Sequence, residues 1–247
     1  MKIACWNCAD GLAVKRAMLA RLEADLLVVA EVRHADFVAI RADFAGGFYT
    51  PSASARGLAT FFRSPGLELR RFRPPGGAEC YQWLTGEGID ILAAWVKSHG
   101  DYVRPARQVV AHFLRNSRAK DRIVLGDLNL NPAFDGKRRS NRAADLFEAL
   151  GKKGLRSLYH EATGEAPGQE SCATHHFTYN PARPFHIDYI FASKDMGLAR
   201  FDLGTPQDWM GPGRGDHVPL TAHLVRTGAA GTERNAAARA GASGGDI

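Results

Sequence analysis

Apolar and polar residues follow one another along this chain with changing period, and each change marks an element. Lys2 to Cys8 reads as a first strand. Val14, Met18, Leu19 and Leu22 then recur at helical spacing, which predicts an amphipathic helix. Leu26 to Ala30 is a short continuous apolar run, the pattern of a strand buried on both faces. After Gly46-Gly47 come the strand-like runs Gly57–Arg63, Leu67–Arg73, Cys80–Thr85 and Ile89–Val96. Ser64-Pro65-Gly66 and Pro74-Pro75-Gly76-Gly77 punctuate them, so an antiparallel middle section is expected.

A second helix is expected from about Arg104 to Arg118, with Val109, Val110, Phe113 and Leu114 facing inward. The strand Ile123–Gly126 follows, and then a helix from about Asn141 to Leu150. Ala173–Tyr179, His186–Ala192, Gly197–Asp202 and Val218–Leu224 read as further strands. Helices thus alternate with strand pairs in two successive halves. The fold class this predicts is α/β (α+β): two mixed β-sheets packed face to face, with helices on the outer sides. Residues 1–226 would form one domain. Residues 227–247, rich in Ala, Gly, Ser and Arg without periodicity, read as a disordered tail.

At 247 residues the chain can bury a substantial core. Its longest apolar run, Ile91 to Val96, is far short of the roughly 20 residues that span a bilayer, so no membrane association is expected. Asn7 and Asp10 interrupt the N-terminus where a secretory signal would need an apolar stretch, which points to a cytoplasmic protein. Cys5 and Cys8 match a C-x-x-C redox spacing, but they lie on a strand rather than at the start of a helix. Packing is the better reading of both, and a thiol oxidoreductase the weaker one. The net charge of +6 belongs to residues before the tail, because the tail itself sums to zero. A basic folded part favours polyanionic partners such as nucleic acid. No obligate protein partner is evident.

The chemistry concentrates at strand ends. Gly126-Asp127-Leu128-Asn129 follows the apolar run Ile123–Leu125, and residues two apart on a strand face the same way. Asn7, Glu31, Asp188 and the pair Asp216-His217 end or precede other strand-like runs. Singly, Asn7 could cap a turn, Glu31 could be a solvated residue and Asp216-His217 a mere turn. Together they suit phosphoester hydrolysis. Mg²⁺ or Mn²⁺ takes carboxylate, amide and water oxygens, which Asn7, Glu31 and Asp216 would supply. Asp127 has the charge to activate a water, and Asn129 can orient it or bond the phosphate. His217 can donate to a phosphoryl oxygen if Asp188 fixes its tautomer.

These motifs have a family order. Trp6-Asn7, a Glu closing the second strand, Gly126-Asp127-x-Asn129, His186-Ile187-Asp188-Tyr189-Ile190 and Asp216-His217-Val218-Pro219-Leu220 resemble the endonuclease/exonuclease/phosphatase superfamily, over about Met1 to Arg226. The resemblance implies a four-layered α/β sandwich of the DNase I-like and exonuclease III-like type, with a Mg²⁺-dependent site at one end. By motif, Asn7 and Glu31 resemble the family's metal ligands and Asp216 its late aspartate near the metal. Asp127 resembles the nucleophile-activating aspartate and Asn129 its orienting partner. His217 resembles the phosphate-contacting histidine, and Asp188 the aspartate that buttresses it. The sequence departs from the pattern at Ala30, where Gln is usual, at Gly215, where Ser is usual, and at His186, where Arg is usual. Asp10 stands one residue too far along to match an Asn-x-Asp form.

Cationic side chains supply candidate substrate contacts. Lys97 and His99 follow the middle strand, Arg104 and Arg107 open the helix after it, and Arg139 and Arg142 belong to the basic run Lys137–Arg142. Each could equally be a solvated charge. Arg70, Arg71 and Arg73 read as edge-strand protection. His175-His176 fits no zinc spacing, and Thr174, Phe177 and Tyr179 read as strand core. The expected function is a divalent-metal-dependent phosphodiesterase, most readily a nuclease, for which the resemblance implies 5′-phosphate and 3′-hydroxyl products. The alternatives are a phosphatase on a small phosphoester or phospholipid head group, and an inactive nucleic-acid-binding module.

Overall fold

The computed structural model describes residues 1–97, 100–137, 140–180 and 182–226. The predicted tail, together with His99 and Arg139, lies outside the described residues. Strands β1 (Lys2–Asn7), β2 (Leu26–Arg33), β3 (Gly46–Pro51) and β4 (Arg56–Phe62) come from the first quarter of the chain. The next are β5 (Glu68–Arg70), β6 (Tyr81–Gly86), β7 (Ile89–Trp95), β8 (Asp121–Asp127) and β9 (Leu155–Ser157). The two-residue strands β10 (His175–His176) and β11 (Pro184–Phe185) pair as a separate ribbon. Last come β12 (Asp188–Ser193), β13 (Met196–Leu203) and β14 (Leu220–Arg226).

Two six-stranded sheets result. The first runs β13-β14-β1-β2-β4-β3 and the second β5-β6-β7-β8-β12-β9. Both are mixed, with β1–β2 and β7–β8 the parallel pairs. Ile3, Cys5, Val28 and Leu220 of the first sheet meet Ile91, Ala93, Leu125 and Ile190 of the second in a shared core. The outer face of the second sheet is covered by α3 (Val103–Asn116) and α4 (Ala143–Lys152), and that of the first by α1 (Arg16–Ala20) and α2 (His34–Arg41). The layers are therefore helix, sheet, sheet, helix. On α3, Val109, Val110, Phe113 and Leu114 are all buried as their spacing predicted, each large side chain contributing roughly 1.5–3 kcal/mol. Among the described residues no helix is long and apolar enough to cross a membrane.

Local departures from the expectations are instructive. The first helix begins as a 3-10 turn at Leu12–Lys15, which turns Val14 out to solvent and puts Leu12 in the core instead. The short strands β3 and β9 and the helices α2 and α5 (Leu158–Thr163) were not anticipated, because none carries a long periodic pattern. The run Ala173–Tyr179 is not a core strand. Only His175 and His176 pair, Thr174 alone is fully buried, and Phe177 and Tyr179 are exposed. Arg70 lies on β5, which is an edge strand, and packs its guanidinium over Trp83.

Candidate functional site

Asn7 ends β1, Asp127 ends β8 and Asp188 begins β12, so the sheet termini bring the three together. Residues Asp188 and Asp127 are direct cross-strand partners. On the other side of β8, Gly126 lets that strand pass close to β7. This glycine has φ 132, and a Cβ there would stand 1.9 Å from the Ala94 carbonyl oxygen. Glu31 does not close β2 as expected. It sits inside the strand at a bulge between Val29 and Val32, with φ 62, and the bulge re-aims its side chain. The Asn7 amide nitrogen donates to Glu31 Oε1 at 3.1 Å and to Asp127 Oδ2 at 2.9 Å. Its Oδ1 accepts from the Ala9 amide at 3.0 Å.

Asn129 reaches Asp127 differently from the strand alternation expected of it. It lies beyond β8 at φ 51. Its backbone N–H donates to Asp127 Oδ1 at 3.0 Å, while its side chain donates to the Val96 carbonyl at 3.1 Å. The fixed element is thus a turn, not a face of a strand.

The Asp216-His217 segment is fastened to β10. His176 N donates to Asp216 O at 2.9 Å, and Val218 N donates to Thr174 O at 2.8 Å. His217 Nδ1 lies 2.8 Å from Asp188 Oδ2, both side chains being buried. Trp6 Nε1 donates to the His217 carbonyl at 3.2 Å. Burial opposes a charge on the His217 ring, but the Asp188, Asp127 and Asp216 carboxylates outweigh it and push its pKa up to about 9. Asp127 is pushed up to about 7, by burial first and by the Asp188 charge second. Asp216 Oδ2 lies 3.3 Å from His175 Nε2; burial raises the Asp216 carboxyl, yet this contact and the His217 charge bring it below the usual range.

Among the described residues, two groups each bring their donor atoms within 4.8 Å of one another: Asp127, Asp188 and His217, and His175, Asp216 and His217. The first is drawn together by the His217–Asp188 contact. Asp188 Oδ1 is buried without a hydrogen-bond partner among the described residues, an arrangement that a cation or its water would satisfy. In the second, the His175 and His217 rings are stacked at 4.3 Å and 26°, so their lone pairs diverge rather than meet at one ion.

Several participants had no signal in the sequence. Arg56 of β4 forms an ion pair with Glu31 Oε2, and Arg33 pairs with Asp10. Lys15 is buried, its ammonium donating to the Cys8 and Asp10 carbonyls. Thr174 Oγ1 accepts from the Ile187 and Asp188 amides at 3.0 and 3.1 Å, which fixes the start of β12. A buried Thr beside an Asp-rich strand end is legible only once the chain is folded.

The cationic candidates divide. Lys97 donates to Ser52 and Ser54 and lies over the Trp95 ring, whose residue is the register partner of Asp127. Lys97 and Arg104 line one cavity of about 730 Å³ with Ser54 and Gln108. Arg107 and Arg142 instead converge on Asp145, at 3.5 and 2.7 Å. Burial pushes the Cys8 thiol up to about 12 and raises that of Cys5, so neither offers the thiolate a redox site needs.

A search of curated protein sequences finds no match. Among solved structures, a 3'-5' exonuclease from Neisseria meningitidis superposes with a TM-score of 0.70 at 19% identity, over 91% of this chain and 99% of that one. An AP endonuclease from Archaeoglobus fulgidus gives 0.71 at 15% identity, with the same coverage of both chains. A 3' phosphatase from Neisseria, bound to a product DNA hairpin, gives 0.71 at 19% identity, again over 91% and 99%. At these identities the likeness is one of fold. The sequence itself matches the model of the Endonuclease/Exonuclease/phosphatase family over residues 6–220, and the chain therefore belongs to that family.

Proposed function

We propose that this protein is a divalent-metal-dependent phosphodiesterase whose substrate is nucleic acid. One observation carries the reading most directly. A buried Asp127, held by Asn7 and by the Asn129 amide, stands beside a buried His217–Asp188 pair, as hydrolysis of a phosphodiester requires. Bound near Asn7, Glu31 and Asp216, Mg²⁺ or Mn²⁺ would neutralise charge that develops on the phosphoryl and leaving oxygens. With its pKa near 7, Asp127 can take a proton from a water in line with the phosphorus. Asn7 and the Asn129 amide keep that carboxylate in one orientation. His217, held protonated by Asp188, donates a hydrogen bond to a phosphoryl oxygen as it gains charge. Lys97 and Arg104, which line one cavity together, would neutralise an adjoining backbone phosphate.

The net charge of +6 supports nucleic acid over a small phosphoester, as do the DNA-related names of the similar folds. A panel of single- and double-stranded DNA, RNA and small phosphoesters, each with Mg²⁺ and with excess EDTA, tests the reading. Oligonucleotide cleavage leaving 5′-phosphates, absent in EDTA, is expected. Undiminished cleavage in EDTA would remove the metal from the scheme, and turnover of small phosphoesters alone would remove nucleic acid.

A further inference from the structure

Three exposed rings beside the site play no part in the chemistry above. Phe177 and Tyr179, on the arm that follows β10, are 43% and 47% exposed. Phe134, on the turn Pro132–Phe134 beyond Asp127, is 47% exposed. Apolar side chains gathered on a surface beside a functional site mark a contact region. The backbone that presents two of them is held against its own preference. Thr178 and Tyr179, neither a glycine, have φ of 54° and 59°. A β-branched residue rarely adopts this region and keeps it only where neighbours enforce it. Asn180 enforces it here: its amide donates to Phe177 O at 3.2 Å, and its Oδ1 accepts from Ala182 N at 2.9 Å.

These rings connect to the site through a series of aromatic contacts. His217 stacks on His175 at 4.3 Å, and His175 stacks on Phe185 at 5.9 Å. Phe177 meets His175 edge-on at 6.1 Å, and Phe134 meets Phe185 edge-on at 5.6 Å. Phe177 therefore stands two ring contacts from the imidazole that faces the phosphate. Arg183 lies 4.3 Å over the Phe177 ring, which adds a cation beside its exposed part. Aromatic faces with a cation among them, next to a phosphodiester site, fit nucleobases, because every base has a π-face. In an intact duplex those faces are already covered by neighbouring bases.

We propose that the ribbon carrying Phe177 and Tyr179 is a stacking platform for an unpaired nucleobase flanking the phosphodiester held at Asp127 and His217. The inference rests on the nuclease reading above and names the form of its substrate: a single strand or frayed end rather than an intact duplex. The test uses the full chain and a single-stranded DNA oligonucleotide carrying 2-aminopurine, with Ca²⁺ supplied. The wild-type protein should quench the 2-aminopurine fluorescence. The double variant Phe177→Ala/Tyr179→Ala should lose the quench and bind the strand roughly ten-fold or more weakly. Its affinity for duplex and its hydrolysis of bis(4-nitrophenyl) phosphate should stay unchanged, while Phe177→Trp should keep the quench. Equal quenching and affinity in the double variant would overturn the platform. So would a matching loss on the small diester, which would make the ribbon a mere support for Asp216 and His217. Quenching by a wild-type protein that cleaves no phosphoester would uphold the platform and defeat the nuclease reading. Cleavage without quenching would defeat the platform alone.

Discussion

One buried and one half-buried histidine–carboxylate pair look alike and do opposite things. His217 and Asp188 stand 2.8 Å apart at the sheet ends, and His160 and Glu170 stand 3.0 Å apart beside α5. Around the second pair every carboxylate oxygen has a donor. Glu170 accepts from His160, from the Gly168 amide and from Asn131, each at 3.0 Å. Burial raises its carboxyl, but these donors prevail and bring it down to about 2. The His160 ring is completed by Ser157 at 2.7 Å. That pair is a fastener between α5 and the segment after Asp127. Around the first pair the donors run short: Asp188 Oδ1 has none among the described residues, and its neighbour Asp127 is pushed up to about 7. Satisfied polar networks rigidify a fold, whereas polar atoms left over at one point are capacity for a ligand.

The largest effect should separate the two pairs by activity. Asp127→Ala and His217→Ala should each lower phosphodiester turnover roughly 10²–10⁴-fold while the circular dichroism spectrum stays native. Glu170→Ala should leave turnover within a few-fold. A Glu170 variant as inactive as the Asp127 variant would erase the distinction. Stability should reverse the ranking. Glu170→Ala removes charge-assisted hydrogen bonds and should lower unfolding stability by about 1–3 kcal/mol in urea titrations. Unchanged stability there would show that the network fastens nothing.

The smallest effect is one of pH. His217 has a folded pKa of about 9 against 6.5 unfolded, so its contribution is complete below about 6.5 and is lost as pH rises toward 9. Glu170 has a folded pKa of about 2 against 4.5, so its contribution is present above about 4.5 and is lost as pH falls toward 2. Thermal midpoints of the cation-free protein should therefore decline on both sides. His217→Gln should flatten only the alkaline limb and Glu170→Gln only the acid limb. Identical profiles in the two variants would contradict the assignment.

How far the sequence foretold this contrast depends on what kind of signal each part carries. Buried strands and the helix α3 were legible because burial imposes a period, as Val109, Val110, Phe113 and Leu114 show. Asp127, Asn129, Asp188 and His217 were legible as residue types at predicted strand ends. Their partners were not. Arg56 meets Glu31 only because β2 is bulged between Val29 and Val32, and a bulge leaves no period to read. Thr174 and Glu170 act through hydrogen bonds to segments 13 and 39 residues away. Phe177 and Tyr179 read as core because aromatic residues favour strands. The backbone around Thr178 turns left-handed, and that leaves both rings in solvent.

The most direct test of the proposed site is Mn²⁺ binding followed by electron paramagnetic resonance without substrate. A saturable site in the wild-type protein, lost or greatly weakened in Glu31→Ala and in Asp216→Ala and kept in Glu170→Ala, is the expected result. Equal Mn²⁺ binding by all four proteins, or none by any, would contradict a cation site that uses Glu31 and Asp216.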